Sequence, residues 1–528
     1  SYSVTENTFT DCLVGLEWWN SRSNTQANIS KNHFLLSASA SHAQDNNYEA
    51  IHVFGTYNDF PLLIEGNDIH NHLAGIFAIN LYGKQYEQKI INNLIDLDFT
   101  EDEVNANNFE FRGISLQNCE FTNVIDNNIS WNTTNNTFLS NVQGIRFESS
   151  RFCMFKMNTL TNLRKGFYGA GTCEETALQC NEMFDCYPSG IHFDGADLPD
   201  QGYNCLPNYN VWNGNNYGLN DNLKISGYIN GNQIKWYYAG ASINSNPLYP
   251  EPSAINIVLP FLAINCGPIG SCGESERYLG NLQQRAEYLE KVIQDTIDYL
   301  VFPYENRTYD LEYAQNVMSD DSSLIINSVY EQFLQGIEQE NLGKLNEVRR
   351  LLMSGEINLA YIKNNAVIYQ NIMQQNAKAV NSIELNKLLN YNTDPYSLVE
   401  TNTLNNVAYQ PAMLGGKAVY NAREDLRLRL EDGASSLRQS TIVSKENNNL
   451  IDISVLPNPS NGTFNIKSND LGQFDLTIMD VAGKIVFNDL NCSNRKEIDI
   501  NYLQNGIYFL MLEYSDGNHK TSKLVINH

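Results

Sequence analysis

One phrase recurs through the first half of the chain and limits what it can fold into. An Asn set among apolar residues returns in ISKNHF (29–34), IEGNDI (64–69), IINNLI (90–95), VIDNNI (124–129), KMNTL (156–160) and CNEMF (180–184). Between these lie Gly-apolar phrases: GIFAI (75–79), GISL (113–116), GIRF (144–147), GFYG (166–169) and GIHF (190–193). From Gly113 the steps to the next Gly phrase are 31, 22 and 24 residues. Steps of that length suit one coil of a stacked repeat, because a single coil cannot bury its apolar row alone. Gly and Asn tolerate the left-handed turn positions that other residues resist. The pattern predicts a parallel β-helix over 1–265, with a β-sandwich carrying Asn-rich turns as the alternative.

Composition then changes twice. Residues 274–440 are rich in Leu, Gln, Glu, Ala and Lys and lack Cys, Trp and His. Leu279, Leu282, Ala286, Leu289, Ile293, Ile297 and Leu300 step by three and four, one apolar stripe on a helix that Pro303 is expected to end. Similar stripes over 324–353 and 356–390, interrupted by Gly336, Gly343, Gly355 and Pro395, predict helical hairpins or a short bundle. Residues 450–528 alternate again. Turn signals at Asn461-Gly462, Ala482-Gly483, Asn505-Gly506 and Asp516-Gly517 separate seven short strands, which predicts a small Ig-like β-sandwich.

The net charge of −26 argues against nucleic acid and anionic headgroups, since binding either depends on cationic side chains. No apolar run reaches the length of a transmembrane helix; the stretch from Ala254 to Asn265 is broken by Pro260. The opening SYSVTENTFT has neither a basic start nor an apolar segment, so the chain reads as a mature or truncated form without its upstream part. Ten cysteines suit a compartment where disulfides persist. The separations in Cys173, Cys180 and Cys186 do not fit a zinc knuckle. Cys266 and Cys272, flanking Gly267, Pro268 and Gly270, are the first candidate for a disulfide.

The closing segment resembles the type A C-terminal sorting domain of the bacterial type IX secretion system. The resemblance is carried by LPNPSNGTFNI (456–466), FDLTIMDVAGKIVF (474–487), LQNGIYFLML (503–512) and the terminal KLVI (523–526). Within them Pro457, Asn458, Pro459, Gly462, Gly483, Gly506, Tyr508, Lys523, Leu524 and Val525 stand as sorting-signal residues. The resemblance implies a Bacteroidetes-type cargo, carried by the periplasm and across the outer membrane to the cell surface or medium. Residues 450–528 would be read by the type IX translocon and an outer-membrane shuttle barrel, and attachment to surface lipopolysaccharide often follows. The phrase LGGKAVYNAREDL (414–426) is similar to a GG-x-AVY-x-AR stretch of secreted Bacteroidetes proteins with the same domain order. The first region looks like the right-handed, pectate-lyase-like β-helix class on its repeats alone.

Chemistry is harder to find. Sugar-cleaving sites need paired carboxylates or a base beside a neutralised carboxylate. HFDGADLPD supplies His192, Asp194, Asp197 and Asp200, and Arg146, Arg164 and Lys165 could add cations from neighbouring coils. That cluster could also hold Ca²⁺, the one cofactor considered, or be a solvated exit loop, which Asp/Gly/Pro clusters usually are. No HExxH, GxSxG, P-loop or GxGxxG motif is present, and the one NTD phrase begins at Asn392 in the helical region. His70 and His72 share a strand face and could bind a metal, although a turn or surface role is commoner. Trp18, Trp19, Trp131, Trp212 and Trp236 could stack on surface glycans, with burial as the default. Asp295-Thr296-Ile297 matches the short O-glycosylation pattern of this bacterial group. The expected function is a type IX cargo with an adhesion or interaction surface and no assigned catalytic residue. The alternative is a secreted polysaccharide lyase or hydrolase on the same export route.

Overall fold

The computed structural model describes residues 2–12, 14–19, 26–36, 49–55, 61–81, 88–98, 110–132, 141–173, 175–186, 189–197, 201, 210–213, 223–226, 234–237, 255–258, 282–295, 297, 303–320, 322–390, 395–428, 430, 453–456, 460–468, 474–480, 485–492, 497–514 and 519–526. Contacts divide the chain into two units. The first is built on Ser1–Phe302 with Asn316–Tyr330, the second on Pro303–Gln315, Glu331–Glu431 and Arg438–His528.

In the first unit the chain repeats a circuit of three strands. Gln88–Ile91, Leu94–Leu97 and Glu110–Gln117 make one circuit, and Thr122–Ile125, Asn128–Trp131 and Asn141–Glu148 make the next. Each strand pairs in parallel with its counterpart three strands on, so the strands sort into parallel sheets of seven, eight and eight. The inward residues stand in columns. Sheet one stacks Ile29, Ile64, Ile90, Val124, Phe155 and Leu178. Sheet two stacks Phe34, Ile69, Ile95, Ile129, Leu160, Met183 and Trp212. Sheet three stacks Ile51, Ile76, Ile114, Ile145, Phe167 and Ile191. All belong to one buried core, each column covering the apolar row that its neighbour would expose.

The Asn phrases mark the corner between sheets one and two. Asn93 donates its backbone N–H and its Nδ2 to Asn127 Oδ1 at 3.0 and 2.9 Å, and Nδ2 also reaches the Ile64 carbonyl at 3.1 Å. Asn32, Asn67, Asn127, Asn158 and Asn181 repeat the double donation to the next Asn, ending on Asn210. All seven are buried. The residue before each ladder Asn from 32 to 181 is left-handed: Lys31, Gly66, Asn92, Asp126, Met157 and Cys180. Such a conformation costs a side-chain-bearing residue about 1–2 kcal/mol, which the ladder offsets by satisfying buried amides.

The Gly phrases do something else. Gly75, Gly113, Gly144, Gly166 and Gly190 occupy one column, where close approach leaves no room for a side chain. A Cβ on Gly113 would lie 2.5 Å from Ile129 and 2.8 Å from the Gly144 carbonyl, and one on Gly144 would lie 2.6 Å from the Gly166 carbonyl. Glycine is needed there for packing, and left-handed corners are carried largely by other residues.

The expected fold class is corrected by this topology. In place of a parallel β-helix over 1–265, helical hairpins and an Ig-like sandwich stand three parallel sheets of seven, eight and eight strands. A separate parallel pair, Ile234–Tyr237 with Ile255–Val258, comes next. Helices follow, and then two small antiparallel sheets of three and four strands. The Asn and Gly phrases report where a residue sits along a strand; they carry no information on how many hydrogen-bonded ladders the strands sort into or where each stops.

The helices are α1 (Leu282–Ile293), α2 (Pro303–Asp320), α3 (Ser328–Gln339), α4 (Asn341–Ser354), α5 (Ile357–Ala366), α6 (Ile372–Leu389), α7 (Leu398–Ala408), the single turn α8 (Ala412–Gly415) and α9 (Ala418–Leu426). The stripe expected to run to Pro303 instead stops at Ile293, where the turn turns left-handed at Asp295. Pro303 opens α2, the first-turn position where its missing N–H costs nothing. In the second unit α4, α6 and α9 pack in succession, α5 and α7 lying alongside. Gly355 caps α4 in the left-handed conformation, and Ser397 with Glu400 forms a capping box on α7. The LGGKAVYNAREDL phrase proves structural: Gly416 is left-handed between α8 and α9, and buried Arg423 donates to the carbonyls of Ala408 and Gln410.

Asn127→Ala should lower unfolding stability by about 3 kcal/mol or more, because buried donors and acceptors on Asn93 and Asn158 lose partners. Asn128→Ala, at the exposed neighbouring position, should stay within about 0.5 kcal/mol. Paired denaturant titrations read the difference.

Candidate functional sites

The C-terminal strands form a module with its own core. Ile453–Leu456, Thr463–Ser468 and Glu497–Asp499 make one antiparallel sheet. Ile485–Cys492, Phe474–Asp480, Gly506–Tyr514 and His519–Ile526 make the other in that order. Phe464, Ile466, Leu476, Ile478, Ile498, Leu510, Leu512, Leu524 and Ile526 pack together between them, and Ser460 bridges to Ile526.

Several expected sorting-signal residues turn out to build this module. Gly462 is buried and left-handed, taking the Ser460 hydroxyl as acceptor for its N–H at 3.0 Å while its carbonyl accepts from Ile500 at 2.8 Å. Gly506 opens the third strand of its sheet, and Tyr508, buried, donates its hydroxyl to the Gln504 carbonyl at 2.9 Å. Leu524 is a core residue opposite Tyr508, and the backbones of Lys523 and Val525 pair with Phe509 and Ile507. Pro457, Asn458, Pro459 and Gly483 lie outside the described residues.

The sheet edges differ. Ile453–Leu456 and Glu497–Asp499 are only four and three residues long, and Ile485–Cys492 pairs with two register shifts. His519–Ile526 pairs without a break over eight residues and ends its sheet. Of the two eight-residue edges of that sheet it is the regular one, and Ser460 bridges its last residue, Ile526.

The second candidate lies on the outer face of sheet three. Register aligns Ser115, Arg146, Tyr168 and His192 in one row and Gln117, Glu148, Ala170 and Asp194 in the next. His192 and Asp194 are therefore brought together with Arg146 and Lys165 around Tyr168. Asp194 accepts from the Tyr168 hydroxyl at 3.0 Å, and the His192 ring meets Tyr168 edge-on with centroids 5.4 Å apart. Lys165 Nζ and the Arg146 guanidinium lie 4.3 and 4.7 Å from the centre of the Tyr168 ring. Arg146 donates to Glu148 at 2.6 Å, both side chains fully buried. Further along the face the buried pair His52 and Glu49 is in contact, and His52 stacks on Phe54. Tyr168, Glu148 and His52 were not singled out in the sequence. The signal was available, since the members of the first row stand two residues after their Gly and those of the second stand four.

Asp197 pairs its backbone with Thr172 after a register shift, and its side chain and all of Asp200 lie outside the described residues. The calcium expectation therefore rests on Asp194 alone among the described carboxylates of that cluster. No group of three His, Cys, Asp or Glu among the described residues is placed to hold a metal ion. Cys266, Cys272 and Thr296 also lie outside the described residues. Trp131, Trp212 and Trp236 are core residues.

His70 and His72 part company. On the solvent face of sheet two, His70 is held between Asp68 at 2.8 Å and Asp96 at 2.5 Å, with His33 on the far side of Asp68 at 3.2 Å. Burial pulls against protonation of His70, but the two carboxylates prevail and its pKa is raised. His72 is buried, its Nδ1 2.9 Å from the His70 carbonyl, and desolvation drives its pKa down to about 4.

With these geometries established, comparison with known proteins bears on one of them. Residues 454–527 match the family of secretion system C-terminal sorting domains. No curated protein matches the chain. The antiparallel module is thus a type IX sorting domain, and a chain that carries one is a cargo of that system, destined for the cell surface or the extracellular space.

Two outcomes are expected. Glu148→Ala, which strands the Arg146 charge in a dry site, should cost about 3–5 kcal/mol in denaturant unfolding, and Arg146→Met combined with Glu148→Leu should cost less. Because the folded pKa of His72 lies below its unfolded value, its contribution is intact above about pH 6.5 and is lost as pH falls toward 4. His72→Leu should remove on the order of 3 kcal/mol of that acid sensitivity, read as the difference in unfolding free energy between the two proteins from pH 7 to pH 4.

Proposed function

We propose that this protein is a surface-delivered or released type IX cargo whose three-sheet unit is an interaction module, with the helices joining it to a type A export domain. The observation that carries the proposal is the match of residues 454–527 to sorting domains, on a module with its own buried core. The strand His519–Ile526 is the part that a translocon component or shuttle barrel would engage, by strand addition along its edge short of Ile526, which Ser460 bridges. Attachment to surface lipopolysaccharide and contact with surface glycans belong to the same proposal.

An interaction role is favoured over polysaccharide cleavage by the state of the charges on sheet three. His192, Asp194, Arg146 and Glu148 are buried, and Asp194 and Glu148 are engaged by Tyr168 and Arg146. A general acid or base must reach a substrate proton directly or through one water. Carboxylates committed to neighbouring strands hold circuits together instead.

Residues 450–528, fused behind a periplasmic reporter carrying a Sec signal, should bring the reporter to the cell surface of a type IX-competent host and leave it in the periplasm of a translocon-deficient one. Retention in both hosts would sink the export assignment. The residue 1–265 fragment should bind glycans on an array without releasing reducing sugar, and release from a polysaccharide would favour the enzyme instead.

A further inference from the structure

One group of ionisable side chains on the solvent face of sheet two spans three successive circuits. His33–Leu35, Asp68–His70 and Leu94–Leu97 are neighbouring strands there. Register sets His33, Asp68 and Leu94 in one row and Leu35, His70 and Asp96 in the next. His70 meets a carboxylate at each ring nitrogen: Nδ1 lies 2.5 Å from Asp96 Oδ1, and Nε2 lies 2.8 Å from Asp68 Oδ1. The other oxygen of Asp68 lies 3.2 Å from His33 Nδ1. Asp68 Oδ1 is buried, and no donor other than that ring reaches it.

These two contacts of His70 need two protons. A neutral imidazole carries one N–H and presents a lone pair at its other nitrogen. With a single proton shared among Asp68, His70 and Asp96, one contact sets that lone pair against a carboxylate oxygen. The count is the same whether the second proton sits on the ring or on Asp96.

The neighbouring groups leave the count unchanged. Asp98 acts on Asp96 and accepts from Asn132 Nδ2 at 2.7 Å. His72, beyond the end of the strand, is neutral above its pKa of about 4, and Asp11 acts on His72. Leu35 and Ser130, which flank His70 and Asp96 in their row, are uncharged.

We propose that Asp68, His70 and Asp96, with His33 behind Asp68, form a proton-dependent clamp across three circuits, closed while the group holds two protons and open at one carboxylate when it holds one. The sign follows from the contacts, because losing the proton turns an attraction into a repulsion. The titration behaviour agrees with it. Desolvation is the largest influence on His70 and opposes its charge, yet the two carboxylates together raise its pKa above the ordinary 6.5. The clamp therefore contributes fully below about pH 6.5 and is lost as pH rises through the folded value.

NMR titration of the His70 ring in the full chain tests the clamp. At pH 6 both ring nitrogens should be protonated or in a shared hydrogen bond, and the ring should titrate above 6.5. Asp96→Asn should lower that pKa by about one unit or more. His70→Gln cannot take up the proton, so the ratio of its unfolding constant to that of the wild type should be largest and level below about pH 6.5. It should then fall about tenfold per pH unit up to the folded pKa and level off again. A residue that only fills space would give a ratio independent of pH. A ring that titrates at or below 6.5, a pKa unmoved in Asp96→Asn, or a level ratio in His70→Gln would overturn the proposal. Should a variant fail to fold, titration of the wild-type ring decides alone. The outcome is independent of the export assignment.

Discussion

The first unit depends on a carboxamide being able to donate twice and accept twice at one buried point. An Asn at each corner accepts from the backbone and side chain of the Asn before it and donates to the one after, so each link spans two circuits. No other short side chain has that donor and acceptor inventory. Remove the ladder, and the left-handed residues preceding it would be strained without compensation, with main-chain amides left dry at the corner. The apolar columns supply most of the burial, but they are tolerant of exchange among Ile, Val, Leu and Phe. The corner is not.

Much of this frame was legible before any coordinates. The Asn phrases mark the ladder from Asn32 to Asn181, and the apolar residues beside them are the stacked columns. The Gly phrases were found but given the wrong physics. Their column reflects contact between adjacent backbones, and left-handed φ falls on Lys31, Met157 and Cys180, which composition does not flag. The fold class went astray for a related reason, since residue spacing speaks of strands and leaves the sheets that collect them unstated. Likewise Pro303 was read as a stop because proline ends helices, whereas at a first turn it begins one.

The sites show the same division. The sorting domain could be recognised because its phrases are turn and core residues, and Gly462, Tyr508 and Leu524 each hold a definite structural position. Which edge pairs regularly could not be read, because bulges on Ile485–Cys492 arise from pairing and leave no mark in the order of residues. On sheet three, Asp194 and His192 were found through an acidic cluster in one segment. Their partners Tyr168 and Arg146 come from other circuits and emerge only when the Gly phrases are aligned with one another. His192 and Asp194 are buried, which no local composition reveals.

The links of the ladder are spaced unevenly along the chain, by 35, 26, 34, 31, 23 and 29 residues from Asn32 to Asn210. Each link nevertheless has the same pair of hydrogen bonds to one Oδ1, so the ladder fixes the geometry of the corner and not the length of chain between corners. Chain length between corners can therefore vary by a dozen residues while the buried carboxamide column keeps one repeat distance.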